Sequence, residues 1–193
     1  MIRTLATLFL ALCATSGAQQ LYAPAPPANS AFVRVIGAPA ATLETQPVTA
    51  AKDAASAYVV IPQGSLTAKV GTVSQKFTVV AGKFYSVVLL GGKLSLLTDQ
   101  AADNKAKALL TVYNLSSAAA LDLKTADGKL SVVSGVKLGE SGSRAVNGVT
   151  VDLAAFNGAK TLGTLKAVRL ERGDAYAIVV TDAGATLTQS STK

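Results

Sequence analysis

VRLERGDAYAIVV, residues 168–180, and FTVVAGKFYSVVL, residues 77–89, are two versions of one segment. In each, a Gly stands five residues after the first apolar position and a Tyr three residues after the Gly: Val168, Gly173 and Tyr176 in one, Phe77, Gly82 and Tyr85 in the other. Alternating apolar positions, a Gly able to take positive φ and a β-branched run read as two strands joined by a tight turn. An amphipathic helix would not carry a Gly at that point. Self-similarity of this kind implies a duplicated unit.

Working outward, each copy has an opening strand upstream, Ala31 to Val35 in the first and Leu109 to Tyr113 in the second. In the first copy, Thr42 to Gln46, Val48, Tyr58 to Ile61 and Leu66 to Val70 read as short strands, and Gly91-Gly92 as a hairpin turn into Leu94 to Thr98. In the second, Leu121 to Thr125 alternates up to Asp127-Gly128, and Val149 to Leu153 alternates towards Asn157-Gly158, both hairpin signals. Residues 135–143 read as loop, and the polar end from Thr188 to Lys193 as frayed. The fold expected is all-β: two tandem antiparallel β-sandwich-like domains from a duplicated unit, over residues 19–98 and 108–193, with a polar, Ala-rich linker at 99–107.

Residues 1–18 have the form of a secretory signal: Arg3, an apolar run from Leu5 to Ala14, and Ser16, Gly17 and Ala18 at the cleavage site. No later stretch approaches the roughly 20 apolar residues of a membrane helix. The mature chain is thus expected to be exported and soluble, without a membrane span. Cys13 is the only cysteine, and the bulky Leu12 before it argues against a lipoprotein. Once the leader is removed, no disulfide or thiol chemistry is left.

The chain contains no His, which excludes His-dependent triads, His-ligated zinc and imidazole bases. Gly139-Glu140-Ser141-Gly142-Ser143 lacks the final Gly of a nucleophile elbow, and Gly91-Gly92-Lys93 lacks the rest of a phosphate loop. The acids show no spacing that singles out a two-carboxylate pair. Asp99 and Asp103 read as solvated linker acids rather than calcium ligands. No catalytic residue, metal or cofactor is expected. Formal charge is +7, including Arg3 of the leader, with cations scattered and no basic stripe interleaved with aromatics. That favours acidic partners over nucleic acid.

Arginine is the planar donor suited to carboxylates, so Arg34, Arg144, Arg169 and Arg172 are the candidate partner- or polymer-binding residues, with Tyr113 as an aromatic platform near the second turn. Tyr85 and Tyr176 read as structural tyrosines that lock a turn through the hydroxyl.

Leu21, Tyr22, Pro24, Pro27, Ser30 and Phe32 to Val35, then Asn114-Leu115-Ser116, Leu123 to Lys129 and Leu170-Glu171-Arg172-Gly173, resemble the alginate biosynthesis protein AlgF family over nearly the whole mature chain. The resemblance implies a periplasmic accessory factor for O-acetylation of the exopolysaccharide alginate. It would act beside a membrane acyl-transfer protein and a separate His-dependent acetyltransferase, with the anionic polymer a further candidate partner. The family supplies no catalytic residue to carry across, so the role expected is adaptor rather than enzyme. The rival reading is a general secreted β-sandwich envelope or adhesion module unrelated to alginate.

Overall fold

The computed structural model describes residues 25–191. The leader expected at 1–18, with Cys13, lies outside them. The described residues form sixteen strands in chain order, eight per copy. The first copy holds β1 (Ser30–Ile36), β2 (Ala40–Leu43), β3 (Gln46–Thr49), β4 (Val59–Pro62), β5 (Gly64–Val70), β6 (Val73–Val79), β7 (Phe84–Leu90) and β8 (Lys93–Asp99). The second holds β9 (Ala108–Asn114), β10 (Ala120–Thr125), β11 (Ser131–Lys137), β12 (Ser141–Val146), β13 (Val149–Asn157), β14 (Lys160–Leu170), β15 (Ala175–Thr181) and β16 (Gly184–Gln189). The first pairs them as sheets β4-β1-β7-β8 and β3-β2-β5-β6, the second as β12-β9-β15-β16 and β11-β10-β13-β14. Strand for strand, the order is the same.

The repeated segment is where the chain changes sheet. Gly82 and Gly173 take φ of 72° and 85°, carrying β6 into β7 and β14 into β15, which lie in opposite sheets. Crossing between sheets lets β7 return parallel to β1, and β15 parallel to β9, within otherwise antiparallel sandwiches. The turns are tied as the tyrosines lead one to expect: the Val80 amide donates to the Tyr85 hydroxyl at 3.2 Å, and the Glu171 amide to the Tyr176 hydroxyl at 3.0 Å. Inside each sandwich, alternate residues of the two sheets interlock, Val33, Leu66 and Val87 in one and Leu110, Leu123 and Ile178 in the other. Each such buried aliphatic side chain contributes about 1.5–3 kcal/mol.

Three local expectations change. Residues 135–143, expected to be loop, hold the end of β11 and the start of β12. Ser141–Val146 has a weak strand pattern of its own and is held by pairing along β9. Gly142 lets β12 lie flat on the core, since a Cβ there would stand 2.8 Å from Val133 Cγ1. Asp99, expected as a solvated linker acid, is the last residue of β8 with its side chain 1% exposed. Residues 188–191, expected to fray, complete β16 and then bond to the first copy, the Tyr58 amide donating to the Ser191 carbonyl at 2.8 Å.

The two sandwiches share a third core. Ile36, Ala55 and Val88 of the first pack against Tyr113, Ala177 and Val179 of the second, joining sheet β4-β1-β7-β8 to sheet β12-β9-β15-β16 face to face. Both joined sheets are therefore covered on both sides. Gly37 marks how close the approach is, because a Cβ on it would meet Leu115 Cδ1 at 2.8 Å.

Candidate functional site

Arg34 sits at the centre of that junction and is only 2% exposed. On β1, Val33 and Val35 point into the first sandwich, so Arg34 between them points at the second. Its guanidinium uses three nitrogens: Nε donates to Ser86 Oγ at 3.0 Å, Nη1 to Ser190 Oγ at 2.8 Å and Nη2 to Tyr113 Oη at 2.7 Å. The Tyr58 ring lies beneath it, 4.4 Å from the guanidinium carbon to the centroid. Asp99 supplies the opposite charge, with Oδ2 3.7 Å from Arg34 Nε, and accepts hydrogen bonds from Tyr58, Ser86 and Tyr113. Every polar side-chain atom buried among the described residues has a partner.

Burial pushes the Tyr58 and Tyr113 phenols far above their usual range; Arg34 pulls the other way and Asp99 adds to the rise. Burial also works against charge on Arg34, but its phenol and carboxylate neighbours more than offset it, so its pKa stands above the ordinary arginine value. The cluster thus holds a fixed cation and two fixed phenols at neutral pH. Its chemistry is that of a clamp between two sheets.

Arg34 and Tyr113, expected on a binding surface, are therefore in the junction, and Tyr113 is not beside Arg169 and Arg172. The arginine and tyrosine candidates divide into a buried pair and three exposed residues at one end of the second sandwich. Arg169 Nε lies 3.0 Å from Glu171 Oε1. Arg144 reaches from β12 to the free edge of β11, Nη1 donating to the carbonyls of Ser131 and Val132 at 3.1 Å each. Arg172 lays its stem over Gly148, where a Cβ would be 3.0 Å from Arg172 Cγ.

Tyr58, Asp99, Ser86 and Ser190 are the members of the cluster that residue-type reasoning misses. A usable signal lies in the duplication: Asp99 follows Phe84 by the same interval as Ser190 follows Ala175, and Phe84 and Ala175 open equivalent strands.

Two depressions test the remaining chemistry. One of about 540 Å³ lies between the sandwiches, lined by Tyr58, Phe84, Gln100, Asp103, Lys105 and Asp174 among others. Another of about 630 Å³ holds Asp127 and Asp152 with Lys129 and Lys166. The Thr125 hydroxyl, then the Lys129 amide, hold Asp127 below the usual carboxylate range; the Ala167 amide, then the Lys166 ammonium, do so for Asp152. Neither acid retains a proton at neutral pH, as the general acid of a two-carboxylate glycosidase must.

Comparison with known proteins adds a family to this geometry. The family described as "Alginate O-acetyl transferase AlgF" matches residues 5–177. "Alginate biosynthesis protein AlgF" of Pseudomonas syringae pv. tomato is 37% identical, over 92% of this chain and 82% of its own length. The protein of that name from Pseudomonas aeruginosa is 40% identical over 86% and 80%, and that from Azotobacter vinelandii 33% identical over 86% and 79%. A solved structure of the C-terminal domain of AlgF from P. aeruginosa is 40% identical, covers 44% of this chain and 97% of its own, and superposes with a TM-score of 0.36. With the match running through both copies of the duplicated unit, from before β1 into β15, this chain belongs to the AlgF family.

Proposed function

We propose that this chain is an exported, non-catalytic accessory protein for O-acetylation of alginate. It works by contacting the acetylation machinery, a membrane acyl-transfer protein and a separate acetyltransferase, in the periplasm. Family membership supports the pathway, and the signal-like residues 1–18 support export.

The observation that carries the non-catalytic role is the fate of Asp99, Tyr58 and Tyr113. These acid-base groups are buried in the sandwich junction around Arg34, with their polar atoms hydrogen-bonded to one another and to it. The chain has no His with which to activate a hydroxyl at the surface. Although the family description reads "O-acetyl transferase", the proposal assigns the transfer itself to a partner. Two sandwiches joined through a shared core suit a docking role, since a preorganised surface loses less on binding.

The test is the acetyl content of alginate from a strain lacking this gene, complemented with it alongside its native partner genes. Restored acetylation supports the reading. An exported, folded protein that restores none overturns it.

A further inference from the structure

The end of the second sandwich that faces the linker carries two of the most exposed aliphatic side chains among the described residues, Leu130 at 63% and Val149 at 50%. Leu130 stands on the β10–β11 hairpin and Val149 at the start of β13. Val149 directly follows the turn at Asn147 and Gly148. Leu130 and Asn147 line a single depression of about 230 Å³ together with Lys107 and Arg144, and Val146 and Val132 give it an apolar wall. Arg172 lies across Gly148, next to Val149.

The lining of this depression holds two cations and no carboxylate, and Lys107, Arg144 and the nearby Arg172 have no carboxylate within 4.0 Å among the described residues. Glu171 adjoins Arg172 in sequence, but its carboxylate is taken by Arg169. Arg144 spends Nη1 on the β11 carbonyls, leaving Nε and Nη2 without a partner among the described residues. Leu130 borders the Asp127 and Asp152 depression on one side and this cationic one on the other. An exposed apolar side chain beside cations that lack a carboxylate partner marks a docking surface, and arginine beside an apolar anchor is the composition typical of interface hot spots.

We infer that this surface docks a protein segment in which an apolar side chain is flanked by carboxylates, the apolar group covering Leu130 and Val149 and the carboxylates meeting Lys107, Arg144 and Arg172. The inference rests on the adaptor reading above and names its contact face. A uronate polymer would satisfy the cations but gain nothing from covering Leu130 and Val149, so the apolar pair favours a protein.

The test is biolayer interferometry of the mature protein against the immobilised acetyltransferase of the same machinery. Leu130→Asp, and the pair Lys107→Glu with Arg172→Glu, are compared with Lys93→Glu at the β7–β8 turn of the first sandwich. All are exposed positions, and unchanged Tm values check folding. Both patch variants are expected to weaken binding by about tenfold or more, with the control within about twofold of wild type and the charge-reversal effect shrinking as salt is raised. Equal binding by all variants overturns the surface while leaving the adaptor reading standing. So does wild-type binding to polymannuronate oligosaccharide that the charge reversals abolish and Leu130→Asp leaves intact. No binding of wild type overturns the surface, and the acetyl-content complementation, which does not depend on it, then decides whether the adaptor reading falls as well.

Discussion

Asp99 and Ser190 occupy the same place in the two copies, opposite Phe84 and Ala175 in their sheets, and both converge on Arg34. Duplication placed one position twice at the junction, and the two copies fill it differently. The first supplies a charge, the second a neutral acceptor. The same holds for Arg34, which the pairing of β1 with β7 and of β9 with β15 aligns with Thr111, and for Ile36, aligned with Tyr113. A face that repeats in sequence has become complementary by diverging.

Arg34→Ala leaves Asp99 buried without its cation, which costs about 3–5 kcal/mol. Urea unfolding should show that loss, with wild type unfolding in one transition and the variant in two as the sandwiches uncouple. Arg34→Met combined with Asp99→Leu removes both charges and should recover much of the stability. Arg34→Lys should not, because one ammonium cannot serve Ser86, Ser190 and Tyr113 together.

Tyr85→Phe and Tyr176→Phe should each cost about 1 kcal/mol, since each deletes one acceptor of a turn amide and leaves the ring packed. Equal losses in thermal unfolding are the expected outcome of equivalent turns. A loss at only one would show that the copies no longer share the device.

Gly163→Ala should destabilise by about 1–3 kcal/mol. A Cβ on Gly163 would stand 2.5 Å from the Ala185 amide nitrogen, where β14 closes against β16 along one side of the second sandwich. Gly158→Ala has open space around it and meets only the penalty of its φ of 60°, about 1 kcal/mol. Denaturant midpoints of the two variants check the order.

Asp182 accepts hydrogen bonds from the amide and hydroxyl of Ser117, which hold its pKa below the ordinary carboxylate value, as Asp127 and Asp152 are held by their own donors. A depressed folded-state pKa contributes stability that is fully present above the unfolded value of about 3.9 and is lost as pH falls through the folded one. Stability should therefore be flat across neutral pH and fall below about pH 4. Asp182→Asn should lower stability at pH 7 and flatten part of that acid decline, which unfolding curves at pH 7 and pH 3 would show.

The fold was legible because its punctuation is local. Gly82, Gly173, Tyr85 and Tyr176 each act within five residues of their own position, and the Gly91-Gly92, Asp127-Gly128 and Asn157-Gly158 turns need no distant partner. β12 was not legible, because Ser141–Val146 is a strand only by virtue of lying along β9. Nor was the place of Arg34, although a clue stood beside it. Ala108–Asn114 and Ala175–Thr181 are apolar on both faces, which implies sheets covered on both sides, and an Arg in the matching strand of the other copy then has to be buried. Reading Arg34 by side-chain type alone pointed to a surface; reading it by the strand that carries it points to the junction.

The most direct test of the non-catalytic adaptor is genetic. Acetyl content would be measured on alginate from a strain lacking both this gene and the acetyltransferase gene, with each restored singly and then together. The account predicts no acetylation when this gene alone is restored, and full acetylation only when both are present. Acetylated alginate from the strain carrying this gene without the acetyltransferase would contradict it.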